Sequence, residues 1–322
     1  MKTSFGIITE FRQSIANLLH DWREKLHLDI HSTMRKSSEN KGVLTLIGGA
    51  EDKKHDRLVL KRVWETANRT QKVVVIPTAS SYSDELGREY RYIFEEIGAK
   101  KVNYLDIRRS EEADRPLYLE LINDAELVFF TGGDQVKLAK IFLGTKLYQL
   151  IKKRFLQERL HIAGTSAGAA VQSKTLIYDG DDFGFHKGSV KSCDGFGLLP
   201  NITIDTHFMN RNRIPRLAQF LASGESKKGL GVSEDTAMMI YPNDRAEVIG
   251  SGVVVLMNAD KMNYTNYHHI KEHEFVAANN IRFSFLVHGC MFDLKTWNSF
   301  EERSLLTQPR YSKANSVQKK SL

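Results

Sequence analysis

Three residues whose types can share a proton stand at the ends of apolar runs: Ser166, His207 and Glu234. Ser166 sits in Gly164-Thr165-Ser166-Ala167-Gly168, after a short apolar segment (161–163) and before a small-residue segment (169–172) that reads as a helix. This is the Gly-x-Ser-x-Gly pattern in the strand-to-helix context it requires. Small neighbours let the chain turn sharply, so the hydroxyl stands clear and can meet a carbonyl carbon. The next amide N–H, that of Ala167, can donate to the oxyanion that forms. The competing reading is a glycine turn that only lets helix and strand pack closely. The buried strand before it favours chemistry.

A serine hydroxyl needs a base. His207, in Ile204-Asp205-Thr206-His207-Phe208, follows a short strand. Glu234, in Gly231-Val232-Ser233-Glu234-Asp235, ends an apolar strand and can orient an imidazole. Residue type alone forces neither assignment, since a single histidine is more often structural. The chain order Ser…His…Glu departs from the Ser…Asp/Glu…His order of an ordinary α/β-hydrolase. Arg211, Arg213 and Arg216 crowd just beyond His207. Such a cluster is usually a solvated surface. Beside a base, guanidinium forks suit bidentate capture of carboxylates. Other candidates carry less: His269 and His273 lack the His-Glu-x-x-His order, and Gly48-Gly49 lacks the Lys-Ser/Thr of a phosphate loop.

The elements that must position these residues alternate. Apolar runs at 43–47, 73–76, 102–105, 127–130 and 161–163 read as strands, with helical spacing between them at 56–70, 86–97, 117–122, 134–142 and 147–155. Asp134 can cap one helix, and Gly144 breaks it. Continuous apolar strands separated by helices predict an α/β fold, a mostly parallel sheet covered on both faces. Ligands bind beyond the carboxyl ends of such strands. That rule points to Gly48-Gly49, residues 131–135 and residues 164–168. Further strands at 229–233, 237–240, 246–249, 253–257 and 281–288 complete one domain without a linker.

Three parts are expected. Residues 1–41 carry an amphipathic helix (Ile8, Phe11, Ile15, Leu18, Leu19, Trp22, Leu26) and a polar linker, 42–300 form the catalytic domain, and 301–322 form a basic, disordered tail. The chain of 322 residues has a formal charge of +7, but the tail beyond Glu302 holds five cations and no acid. The remainder is nearly neutral, which argues against a nucleic-acid groove. Aromatics such as Tyr90, Tyr92 and Phe94 fit a packed helix better than a base-stacking platform. No apolar run reaches the ~18 residues of a membrane span. Cys193 and Cys290 make no disulfide framework, and no secretory signal is evident, so a reducing cytoplasm is expected.

Together the motifs are familiar. The chain resembles the cyanophycinases, within the serine peptidase family that also contains aspartyl dipeptidase. The matching pieces are Ile47-Gly48-Gly49-Ala50-Glu51-Asp52, Ile76-Pro77-Thr78-Ala79-Ser80, Thr131-Gly132-Gly133-Asp134-Gln135, the Ser166 elbow, Asp205-Thr206-His207-Phe208, Arg211-Asn212-Arg213 with Arg216, and Glu234-Asp235-Thr236-Ala237. The resemblance implies a three-layer sandwich like that of class I glutamine amidotransferases, with serine in place of cysteine. It casts Ser166 as nucleophile, His207 as base and Glu234 as the acid orienting it. Gly133 and Ala167 would supply oxyanion N–H groups. Gln135, Asp205, Thr206, Arg211, Arg213 and Arg216 would line the substrate site, with Asp205 free to pair with a substrate guanidinium.

The implied activity is exopeptidase cleavage of cyanophycin, a poly-aspartate with arginine on each β-carboxyl, to β-aspartyl-arginine through an acyl-enzyme. The implied assembly is a homodimer. No metal or organic cofactor is expected, because nucleophile and base are both side chains. Two features depart from the family pattern. Thr206 stands where glutamine is usual, and Ser233 where aspartate is common before the glutamate. A peptidase for short aspartyl or isoaspartyl peptides is the alternative within enzymes. A non-catalytic carboxylate-binding relative is the alternative outside them.

Overall fold

The computed structural model describes residues 40–66, 71–180 and 185–300. The apolar stripe of residues 8–26 and the basic tail lie outside them. The apolar runs become strands: β1 (Leu44–Ile47), β2 (Lys72–Ile76), β4 (Leu127–Phe130) and β5 (His161–Thr165), which are largely buried, and the half-buried edge strand β3 (Lys101–Tyr104). They pair in parallel in the order β1-β5-β4-β2-β3. Four strands extend the sheet beyond β1, each antiparallel to its neighbour: β10 (Thr236–Ile240), β11 (Arg245–Gly250), β14 (Met291–Asp293) and β15 (Asn298–Phe300).

The alternation of side chains along each strand divides the core. Val73, Val75, Leu127 and Phe129 meet helices α1 (Leu58–Thr66) and α2 (Ser83–Ile97) through Leu60, Val63, Tyr90 and Phe94. Val74, Ile76, Val128 and Phe130 face the opposite layer. There they pack against α4 (Pro116–Asp124), α5 (Gln135–Phe142) and α6 (Lys146–Gln157), the short α3 (Ser110–Ala113) adding Ala113. Asp134 caps α5 as expected, accepting the N–H groups of Val136 and Lys137 at 2.8 and 3.1 Å. Helices therefore lie on both faces of the sheet, the α/β sandwich anticipated from the pattern.

A second sheet was not legible in the sequence. Strands β8 (Thr203–Asp205), β9 (Lys228–Val232), β12 (Val254–Asn258) and β13 (Arg282–Leu286) form it in the order β13-β12-β9-β8. Its inner face, with Ile204, Leu230, Val232, Val254 and Leu256, joins the main core. Its outer face, with Val255 and Met257, is covered by α8 (Ile214–Ala222). That helix begins Ile-Pro, and proline suits the first turn, where its missing N–H has no helical partner. The hairpin β6 (Thr175–Asp179) and β7 (Lys191–Asp194) completes the strands. The run at 281–288 forms an edge strand of the second sheet.

Candidate active site

The site forms where the carboxyl ends of the two sheets meet. From the first come β1, ending at Gly48-Gly49, β4, ending at residues 131–133, and β5, ending at Ser166. From the second come β8, which runs into Thr206-His207, and β9, which runs into Ser233-Glu234. His207 and Glu234, 41 and 68 positions from Ser166 in the chain, are brought into one hydrogen-bonded row with its hydroxyl.

Ser166 occupies the turn between β5 and α7 (Ala167–Ala170) with φ 51° and ψ −113°, a conformation that side chains rarely adopt. Holding it costs about 1–3 kcal/mol. The surroundings enforce it. A Cβ at Gly164 would lie 2.1 Å from the Gly168 carbonyl oxygen, and one at Gly168 would lie 2.2 Å from that of Phe130. Only glycine allows the elbow to close so tightly on the sheet. The Ser166 N–H donates to the Ile47 carbonyl at 3.0 Å, so that amide is occupied. Gly132 passes beside the hydroxyl, since a Cβ there would be 3.9 Å from Ser166 Oγ. Gly133, with φ +138°, is wedged against Ala79, leaving no room for a side chain. Gly133 follows Gly132 in the loop beside the hydroxyl, and Ala167 follows Ser166 directly.

Ser166 Oγ lies 2.8 Å from His207 Nε2, and His207 Nδ1 lies 2.6 Å from Glu234 Oε1. A carboxylate only accepts, so Nδ1 carries the proton and donates to Glu234. That leaves the Nε2 lone pair to accept from the serine hydroxyl. The His207 backbone has φ +48° and is pinned by its N–H to the Gly48 carbonyl at 2.8 Å. Phe208, fully buried, anchors the turn by lying on Gly231, where a Cβ would be 2.3 Å from the ring. Burial pushes the His207 pKa down, Glu234 pushes it up, and Arg211 and Arg213 push it down again; the net direction is downward. The downward direction favours the neutral imidazole that a base must present.

The arginine cluster divides. Arg216 is 4 % exposed and Asp205 2 % exposed. Arg216 Nε donates to Asp205 Oδ2 at 2.9 Å, and its Nη2 donates to Oδ1. Arg213 Nη1 reaches the same Oδ1 at 3.1 Å and the Thr206 carbonyl at 2.7 Å, and the Thr206 N–H donates to Asp205 Oδ1 at 2.9 Å. Both oxygens of Asp205, expected at the substrate site, are engaged by this chain's own donors, below the surface. Thr206 is itself buried, between Asp205 and His207. Arg211 alone of the three arginines is exposed. Gln135, half-buried at the start of α5, donates from its amide to the Ile177 carbonyl of β6 at 3.2 Å.

Some site residues escaped sequence reasoning. Gly49 lies against the His207 ring, and Asn210 Oδ1 accepts the Glu234 N–H at 3.0 Å. Glu51 is a buried carboxylate behind the nucleophile. The double glycine was visible as a strand end, but its partner ring is far away in sequence. Asn210 carried no signal among the polar residues around it.

Comparison with known proteins places this geometry. The model of peptidase family S51 matches residues 44–249, a stretch that contains Ser166, His207 and Glu234. The chain belongs to that family. It is a serine-type peptidase, as the elbow led one to expect. Curated relatives in the same family agree over most of the length. The cyanophycinase of Geminocystis herdmanii is 35% identical over 253 residues, covering 78% of this chain and 93% of the relative. That of Trichormus variabilis is 34% identical over 263 residues, covering 81% and 88%. That of Synechococcus elongatus is 32% identical over 292 residues, covering 90% of each. Among solved structures, a peptidase from an acI-B1 Actinobacterium shares the fold at TM-score 0.58 and 23% identity, covering 79% of this chain and 97% of that one. Among the described residues no helix is long and apolar enough to cross a membrane.

Proposed function

We propose that this S51 peptidase hydrolyses cyanophycin, releasing β-aspartyl-arginine dipeptides through an acyl-enzyme on Ser166. The observation that carries the chemistry is the unbroken chain of hydrogen bonds from Ser166 Oγ through His207 to Glu234, at 2.8 and 2.6 Å. The cyanophycinase relatives at 32–35% identity support the substrate.

In the first half-reaction Ser166 Oγ attacks a backbone carbonyl carbon of the poly-aspartate while His207 Nε2 takes its proton. The carbonyl oxygen becomes an oxyanion, stabilised by the N–H groups of Gly133 and Ala167. His207 then gives the proton to the leaving amine, and the C–N bond breaks to leave an ester on Ser166. Water enters, loses a proton to His207 and attacks the ester. Collapse returns the proton to Ser166 and frees the acid. Glu234 stays ionised throughout and stabilises the imidazolium formed in each half. Neither half needs a metal or an organic cofactor.

Arg211, exposed beside the base, and Gln135 are assigned to substrate contact. Arg213, bonded to Asp205 and to the Thr206 carbonyl, supports the turn that carries His207. Asp205 and Arg216 hold the β8 end in place, a supporting role in place of the direct contact first expected. The family's homodimer and a cytoplasmic location are carried over with the assignment. Light scattering on the purified protein tests the former.

Incubating the protein with cyanophycin and identifying products by mass tests the activity. Soluble β-aspartyl-arginine is the expected product. Intact polymer beside rapid cleavage of short isoaspartyl peptides would move the assignment to the dipeptidase side of the family.

A further inference from the structure

The end of β1 and the turn after it hold Ser166, His207 and the residue that follows Glu234. The Ile47 carbonyl accepts from the Ser166 N–H at 3.0 Å, that of Gly48 from the His207 N–H at 2.8 Å, and that of Gly49 from the Asp235 N–H at 2.9 Å. Gly49 also floors the imidazole: a Cβ there would stand 2.4 Å from His207 Cε1. The far end of the turn is tied down as well, by the Asp52 N–H to Asp235 Oδ1 at 3.0 Å. Between these attachments lies Glu51, 4 % exposed. Its Oε2 accepts from the Thr165 hydroxyl at 2.6 Å, and its Oε1 accepts from the Tyr90 hydroxyl. Thr165 is the residue before Ser166. Tyr90 is buried on α2, its ring 4.7 Å from that of Phe129 on β4.

A buried carboxylate is a poor way to gain stability alone, because an apolar group of similar shape often serves as well or better. Here it does something an apolar group cannot. It fastens, through directional bonds, the turn beneath the base to the residue just before the nucleophile. We propose that Glu51 is a positioning residue for the peptidase reaction, setting the approach of Ser166 Oγ to His207 Nε2 through Thr165 on one side and Gly49 on the other. It touches no reacting atom. The proposal rests on Ser166 being the nucleophile and adds a member to the machinery around it.

The test uses a serine-reactive fluorophosphonate probe, whose rate of labelling reads the Ser166–His207 pair without reference to substrate. Glu51→Gln keeps the volume but replaces one acceptor oxygen by an NH₂ group facing a hydroxyl. Labelling and kcat on cyanophycin should both fall by about ten- to a hundredfold, the scale of a small misalignment. KM should hold within about twofold, because no substrate contact is lost. Tyr90→Phe and Thr165→Val, each removing one donor, should lower the same rate. Tyr90→Phe should add little in a Glu51→Gln background, since both act through one carboxylate.

If Glu51→Gln fails to fold, the Tyr90→Phe and Thr165→Val variants decide the matter. Folded variants that label at the wild-type rate overturn the proposal, as does a loss confined to KM. A wild-type protein that labels but leaves cyanophycin intact overturns only the substrate, and the labelling rates still judge Glu51. A wild-type protein that does not label at Ser166 removes the nucleophile and this proposal together.

Discussion

Ser166 stands at the end of β5, a strand paired in parallel with β1 on one side and β4 on the other, whereas His207 and Glu234 follow β8 and β9 of the smaller sheet. The two regions fix their residues by different means. Around Ser166 the restraint is steric and made by the backbone: Gly164 on Gly168, Gly168 on Phe130, Gly133 on Ala79. Around His207 the close contacts of Gly49 and of Phe208 on Gly231 are joined by an electrostatic restraint, the buried Asp205 holding Arg213 and Arg216 behind the turn. The nucleophile thus needs a strained but rigid placement. The base needs a turn that can hold two charges apart from solvent and still keep its ring neutral. Substitutions should separate the two strategies.

The largest effect belongs to the first region. Ser166→Ala removes one oxygen at a turn whose backbone is set by its neighbours, so the protein should fold with its thermal midpoint unchanged. Loss of a triad member costs on the order of 10⁴–10⁶ in kcat. Turnover within tenfold of wild type in a folded variant would exclude this serine as the nucleophile.

Next comes the charged region. Asp205→Asn leaves the buried Arg216 guanidinium without its counter-charge, and breaking a buried pair in this way costs about 3–5 kcal/mol. Urea unfolding should show that loss. Combining it with Arg216→Met, which removes both charges, should return much of the stability. A loss below about 1 kcal/mol in the single variant would mean that the pair behaves as an exposed one, and the contrast between the two regions would fail.

A smaller effect lies where the regions touch. Ala at position 49 must adopt φ near +101° and place its Cβ 2.4 Å from the His207 ring, so the ring must move. Displacing a catalytic group by about 1 Å can cost roughly a hundredfold in rate, and Gly49→Ala should do this to kcat with little change in KM. Gly98, at φ +127° after α2, provides the control, since a Cβ there meets only Trp64. Gly98→Ala should lower the thermal midpoint and leave kcat alone. Equal losses of kcat in both would show strain acting through global stability.

How much of this was legible follows the same division. The parallel strands declared themselves because burial on both faces demands unbroken apolar runs such as 73–76 and 127–130. The elbow was readable because its glycine pattern lies within five residues, although Gly168 closes on Phe130 of β4. The second sheet was not: strands were readable at 229–233 and 253–257, but nothing local shows which sheet they join, and Phe283 and Phe285 of β13 are exposed. Arg211, Arg213 and Arg216 looked alike in sequence, yet only burial separates the surface residue from the two that face Asp205. Glu51 could not be placed either, since its donors stand 39 and 114 residues away.

The finest test concerns the charge balance at the base. His207 titrates below its ordinary value because burial outweighs the pull of Glu234, and Arg211 and Arg213 add to the downward push. Catalysis needs the neutral ring, so the acidic limb of the kcat/KM profile reports the pKa of His207 in the free enzyme. Arg211→Ala removes a positive charge near the imidazole, which makes protonation easier and raises that pKa. The limb should move to higher pH, and activity at mildly acidic pH should fall relative to the plateau. Glu234→Gln removes the negative partner, which lowers the pKa, so the limb should move the other way while the plateau also falls. Because Arg211 is exposed, raising the salt concentration in the wild-type protein should reproduce part of its removal. The Glu234 contact, a 2.6 Å hydrogen bond, should resist salt. Limbs that shift in the same direction in both variants would show that the observed titration belongs to another group, and His207 would lose its assignment as the base.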